Sequence, residues 1–171
     1  MNEAQDPIRV VAPPAPTDDV SHKTQMLAGQ DGDYTVTAAN TVLNSYSTLG
    51  VTLVPGATTI TVAAIAELNN PINGMAVRKG DLLMLYQPQG ATVDATDDAA
   101  KYGSVTSENG AGYYEIVAVD SVAGNTITLG TCGGIKNSYN VPGAAQVVRI
   151  PQFANLTIQA GLRWEAQIEP D

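Results

Sequence analysis

The stretch Tyr113-Tyr114-Glu115-Ile116-Val117-Ala118-Val119-Asp120-Ser121-Val122-Ala123-Gly124-Asn125-Thr126-Ile127-Thr128-Leu129 carries two β-type runs around a turn. Its first seven residues are aromatic, aliphatic or β-branched, apart from Glu115 and Ala118, and such side chains fit a pleated, half-buried surface. Thr126 to Leu129 then alternates hydroxyl and aliphatic residues, the period of a strand with one wet face. Glycine and asparagine supply the turn chemistry between them, so Val119 to Thr126 reads as a hairpin turning within Ser121 to Asn125.

Outward from this hairpin the same grammar repeats. Tyr34-Thr35-Val36-Thr37 is a short β run, and Thr58-Thr59-Ile60-Thr61-Val62 follows Pro55-Gly56 with Ile60 and Val62 on one face. Leu82-Leu83-Met84-Leu85-Tyr86 is a continuous apolar run, which predicts a strand buried on both faces. Gln146 to Ile150 and Asn155 to Ile158 form the last strong pair. Short strands at regular spacing, separated by turn residues, predict an all-β fold: a small antiparallel sandwich or barrel. One short helix is expected at Ala63–Leu68, stopped by Asn69-Asn70-Pro71. The polar loop Gln87 to Gly112 is long enough to need internal ordering or a function of its own.

Three segments emerge. Residues 1–32 read as an extended, Pro-rich arm or linker, since Ala12-Pro13-Pro14-Ala15-Pro16 disfavours helix. Residues 33–160 form the β domain, and 161–171 a strand-like tail that reads as part of a longer parent. Within the arm, Ile8, Val10 and Val11 form an apolar patch suited to adding as a strand to another subunit's sheet edge.

Composition narrows the function classes. The chain has 171 residues, 44% of them hydrophobic and only 15% charged, with a formal net charge of −9. Such a balance leaves a surface of Thr, Ser, Asn, Gln and Gly, common in extracellular β proteins. Eight scattered Lys and Arg residues argue against nucleic acid, which requires clustered cations to displace counterions. Anionic membrane surfaces are disfavoured for the same reason. No stretch has the length of a membrane span, and the first residues lack the basic and apolar regions of a signal peptide.

The catalytic inventory is thin. One histidine, His22, and one cysteine, Cys132, cannot build a histidine triad or a zinc site. No nucleophile elbow, P-loop or dinucleotide fingerprint occurs. A carboxylate pair would have to come from Glu67, Asp81, Glu115 and Asp120; Asp81 reads as a turn residue at a strand start, and Glu115 as a solvent-facing position. Asp94, Asp97 and Asp98 offer oxygen ligands of the kind calcium takes, without the spacing of an EF-hand loop, and read as a solvated acidic loop. The expectation is therefore no enzyme, no cofactor and no bound metal. Seven of nine aromatic residues are tyrosine, a residue that serves interfaces and sugar-binding faces as well as half-buried strands. Tyr113 and Tyr114 must point to opposite faces, so at most one is in the core.

Six stretches carry a resemblance. Gly80 to Ala91, then Gly112-Tyr113-Tyr114-Glu115 through Val119, Gly124 to Leu129 and Ala145 to Phe153, with Asn44-Ser45-Tyr46 and Gly56 to Val62 ahead of them, resemble an N-terminal-type β domain of large secreted surface proteins of gliding and predatory bacteria, myxobacteria and Bacteroidetes among them. The resemblance covers roughly residues 42–160 and departs at Tyr86 and Pro88. It implies secretion and an extracellular, cell-surface location, and supplies no catalytic residue. The resulting expectation is a non-catalytic structural or adhesive module of a cell-surface or appendage protein. It would act through assembly with other protein subunits, itself included, with a surface glycan as a further partner. The alternatives are an accessory domain of a secreted carbohydrate-active enzyme and a virion or tail structural protein.

Overall fold

The computed structural model describes residues 29–159 and the backbone of 164–165. The candidate arm residues Ile8, Val10 and Val11 lie outside the described residues, as does His22. The fold is all-β, as the hairpin grammar predicts. Twelve strands are present among the described residues: β1 (Gly32–Val36), β2 (Thr41–Val42), β3 (Ser45–Thr48), β4 (Thr59–Thr61), β5 (Leu82–Tyr86), β6 (Thr92–Val93), β7 (Val105–Ser107), β8 (Tyr114–Ala123), β9 (Thr126–Leu129), β10 (Gln146–Ile150), β11 (Phe153–Ile158) and β12 (Trp164–Glu165).

Six of them form a curled antiparallel sheet, a half-barrel in the order β3-β10-β5-β8-β9-β4. Its edge strands are drawn together by a bridge between Leu49 and Val62, where Gly50 N–H donates to Thr61 and Ala63 N–H to Thr48. The long strand β8 makes the curl possible. Its first half pairs with β5 and its second half with β9. The register shifts between Val119 and Ser121, a bulge that bends the strand and increases its twist.

The opening hairpin is tighter than its sequence suggests. β8 continues through Ser121 to Ala123, and only Gly124 and Asn125 turn the chain, with Ala123 opposite Thr126. Gly124 takes φ +58°, as the first position of a type II′ turn requires. The expected helix is a single 3-10 turn, Ile65–Leu68, without a side-chain cap.

Leucine, isoleucine and valine fill the concave side: Ile60, Leu83, Leu85, Val119, Ile127 and Val147 are all fully buried. Leu68 from the 3-10 turn and Tyr139 from the 133–140 loop close the same core. The strict alternation in Thr58–Val62 is confirmed, with Ile60 and Val62 both inside.

Two features depart from a simple antiparallel fold. β1 runs parallel to β11, and β2 parallel to β12, so the segments entering and leaving the half-barrel lie side by side in the same direction. A period-2 pattern fixes faces and says nothing of strand direction, which is why the sequence does not show this. The second departure is β5. Its continuous apolar run predicts burial on both faces; only Leu83 and Leu85 are buried, while Leu82, Met84 and Tyr86 are half-exposed. Those three share the sheet's convex side.

Candidate functional site

That convex side is the most distinctive surface among the described residues. Strand register sets three rows across β3, β10, β5 and β8: Tyr46, Val148, Met84 and Ile116; Thr48, Gln146, Tyr86 and Tyr114; and Ile150, Leu82 and Ala118. None of the eleven is charged, in a chain of net charge −9. Gln146, Val148 and Ala118 are buried within it, whereas Tyr114 and Ile116 in the first half of β8 stand 64% and 57% exposed. Tyrosine, methionine and isoleucine without charge are the composition of an interface core. At the β10–β11 corner the face opens into a groove of about 310 Å³, lined by Leu43, Val148, Ile150, Pro151, Phe153 and Leu156 together with parts of Asn44 and Arg149.

The concave side of the same strands holds the charges. Arg149, on β10 beside Val148, turns inward and is 1% exposed. Its Nη2 donates to Asp31 Oδ1 at 2.7 Å and its Nε to Asp81 Oδ2 at 3.2 Å. Asp31 also accepts from Gln152 N–H at 2.7 Å and Asn70 Nδ2 at 2.9 Å; Asp81 accepts from Arg78 N–H and from Gln30. Burial acts to raise the Asp31 carboxyl, but the hydrogen bonds from Arg149 and Gln152, with the charge of Arg149, outweigh it and hold it below the usual carboxylate range. Burial likewise opposes the Arg149 charge, and the two aspartates prevail and raise its pKa. The cluster ties the segment before β1 to β10, the start of β5 and the 70–78 loop.

Asp81 closes the turn its Gly80 neighbour suggests, its N–H donating to the Arg78 carbonyl, and is also a fully buried ion-pair partner. Glu115 departs from its expectation: it faces inward and accepts from Lys136 N–H at 2.8 Å, Asn137 N–H at 2.7 Å and Tyr139 Oη at 3.2 Å. Both carboxylates serve internal bonds. Burial, with Glu115 beside it, pushes the Tyr139 phenol well above its usual range. Asp120 pairs with Lys79 at the surface, and Glu67 lines a polar cleft of about 530 Å³ with Asn44, Asn69 and the row residues Tyr46 and Thr48, at the β3 margin of the convex face.

The long loop is ordered from within, by a residue the sequence did not single out. Gln87 is fully buried; its Oε1 accepts from Asn140 N–H, and its Nε2 donates to the carbonyls of Gln89 and Asn109, each at 2.8 Å. Gly143 packs against it so closely that a Cβ there would stand 2.4 Å from Nε2. Beyond this hub, β6 and β7 pair as a small ribbon. Asp94 accepts from the Thr96 hydroxyl and N–H, which hold its carboxyl below the usual range, and Asp98 pairs with Lys101. No group of three or more metal-ligating side chains occurs among the described residues, and Cys132 is exposed. Tyr113 and Tyr114 are both exposed. No helix among the described residues is long and apolar enough to cross a membrane.

No family model matches this chain, and no curated protein matches it. Among solved structures, the chain is similar to the gp54 tailspike of Acinetobacter baumannii bacteriophage AP22, determined with A. baumannii capsular saccharide (TM-score 0.42, 19% identity, 74% of this chain and 18% of that one). It is also similar to the gp61 tailspike of Pseudomonas phage phi297 (0.38, 20%, 78% and 20%) and the gp49 tailspike of Pseudomonas phage LKA1 (0.37, 16%, 77% and 20%). The matched region spans about a fifth of the length of each tailspike.

Proposed function

We propose that this chain is a non-catalytic structural module of an extracellular assembly, a virion tail or a cell-surface appendage, and that its convex sheet face packs against a second copy. The charge-free face carries this reading. Two bodies of charge −9 repel, and contact through rows containing no charged side chain brings no carboxylates together. The exposed Tyr114 and Ile116 and the half-exposed Met84 and Tyr86 supply the aromatic and aliphatic anchors such contacts use. The commitment of Asp81 and Glu115 to internal bonds supports a role without catalysis.

The test is light scattering on a sizing column, with negative-stain microscopy of the peak. The wild-type chain is expected to run as a defined oligomer, and Ile116→Lys as a monomer with unchanged circular dichroism. A wild-type monomer at high protein concentration would overturn the reading, as would an oligomer that Ile116→Lys leaves intact. A second reading, a glycan partner, rests on the polar cleft, where the Glu67 carboxylate, two asparagines and Tyr46 match the needs of sugar hydroxyls. Glycan-array binding that Glu67→Ala leaves unchanged would remove it.

A further inference from the structure

The polar cleft at the β3 margin gathers side chains that the fold does not use. β3 ends the six-stranded sheet. Its register sets Ser45 opposite Arg149, on the core side, and Tyr46 opposite Val148, on the convex side with Thr48. The cleft wraps this end of the sheet and reaches the 3-10 turn, which supplies Glu67 and, at its C-cap, Asn69. Among the described residues no hydrogen bond or ion pair engages the Glu67 carboxylate, the Asn69 amide, the Tyr46 phenol or the Thr48 hydroxyl. Ser45, also part of the wall, has its Oγ buried without a hydrogen-bond partner. By contrast Asp31, Asp81, Glu115 and Asp120 all hold bonds within the fold.

We propose that this cleft binds a neutral saccharide, and that Glu67 both holds it and turns acidic saccharides away. The inference rests on the glycan reading above and names the class of glycan. A carboxylate only accepts, and its two oxygens can serve two donors at once, which adjacent sugar hydroxyls supply. The Asn69 amide and the Thr48 and Tyr46 hydroxyls both donate and accept, as the remaining sugar hydroxyls do. The Tyr46 ring adds an apolar surface beside its polar tip, a match for the C–H face of a sugar. Ser45 Oγ is an unmet polar group in the wall, and an incoming hydroxyl, or the water it carries, completes it. The volume, about 530 Å³, lies within the range of small-ligand sites.

Charge sets the selectivity. Among the described residues no Lys or Arg lines the cleft, in a chain of net charge −9. A uronic or sialic acid would bring a second carboxylate beside Glu67 with no cation to compensate it, and such a repulsive element discriminates between otherwise similar ligands. An ammonium ligand would satisfy Glu67 and leave the amide and hydroxyls unused. A peptide added as a strand on β3 finds the Thr48 carbonyl already taken by Ala63 N–H.

Saturation-transfer NMR on the full-length chain tests this, with paired oligosaccharides that end in glucose or galactose and in the matching glucuronic or galacturonic acid. The neutral member of a pair is expected to bind at least about tenfold more tightly than the acidic one. Glu67→Ala should weaken neutral binding at least about tenfold, with circular dichroism unchanged because Glu67 is exposed. Glu67→Gln removes the charge and keeps a polar side chain, so it should admit the acidic member and bring the preference to about threefold or less. Ser45→Ala should weaken neutral binding and leave the urea midpoint in place, since the hydroxyl it removes bonds to nothing in the fold. Equal binding of both members, or a neutral preference that Glu67→Gln leaves intact, would overturn the proposal; the glycan reading then stands if Glu67→Ala still abolishes binding. No binding of either member, or binding that Glu67→Ala leaves unchanged, would overturn both.

Discussion

Val148 and Arg149 are neighbours on β10 and face opposite worlds. Val148 joins the uncharged convex rows with Met84 and Ile116; Arg149 enters the concave side and is all but inaccessible. Both are buried, and the cation lies on the core side of the strand beside the apolar Val147. An inward guanidinium is tolerable only because Asp31 and Asp81 compensate it and Asn70, Gln152, Arg78 and Gln30 satisfy the remaining oxygens. An outward row of Tyr, Met and Ile is the kind of surface that contact sites use. If the outer face serves contact, as proposed, while the inner one serves stability, substitutions on the two should register in different measurements.

The largest effect is expected on the inner side. Arg149→Ala leaves two carboxylates buried without their cation, a loss of about 3–5 kcal/mol, read as a lowered urea midpoint. The combined Asp31→Asn, Asp81→Asn, Arg149→Met variant removes all the charges together and should recover most of that loss. If Arg149→Ala alone cost under about 1 kcal/mol, the cluster would behave as an exposed ion pair and the contrast between faces would collapse.

The next comparison uses adjacent residues of β5. Leu85→Ala should cost about 2–5 kcal/mol through lost burial and a cavity, whereas Met84→Ala, on the convex side, should cost about 1 kcal/mol or less. Equal losses would mean that Met84 is packed as tightly as Leu85. This pair also marks the limit of what the sequence disclosed. Alternation in Thr58–Val62 and the glycine-asparagine turn after Ala123 made the strands and the all-β class legible, because those signals are local. The run Leu82–Tyr86 has no alternation, so the sequence could not say which of its faces lies open. The Asp31–Arg149–Asp81 cluster joins residues more than a hundred positions apart, and the parallel pairing of β1 with β11 does likewise. Tyrosine enrichment hinted at the candidate face, but only the register of four strands shows that its rows contain no charge.

Acid should sharpen the contrast from the inside. The Asp31 carboxyl is lower in the folded chain than in the unfolded one, so its contribution is fully present above about pH 4. It is lost as pH falls through the depressed folded-state value. Comparing urea midpoints of the wild-type chain and Asp31→Asn from pH 7 to pH 2, the gap should hold constant down to about pH 4 and narrow below it. A gap that stays constant to pH 2 would show that Asp31 does not gain its hold from ionisation.

The smallest effect on stability is the most informative for function. Ile116→Lys places a charge on an exposed convex position and breaks no described contact in the core, so its unfolding free energy should stay within about 0.5 kcal/mol of the wild type. In a dimer or larger assembly built on that face, the same lysine must be desolvated against tyrosine and methionine, with no carboxylate in the rows to pair with it. Burying an unpaired charge costs far more than the few tenths of a kcal/mol it costs at a free surface. One substitution then separates the two faces: unchanged folding with lost assembly assigns the convex rows to contact, while lost folding would mean that the convex side is part of what holds the sheet together.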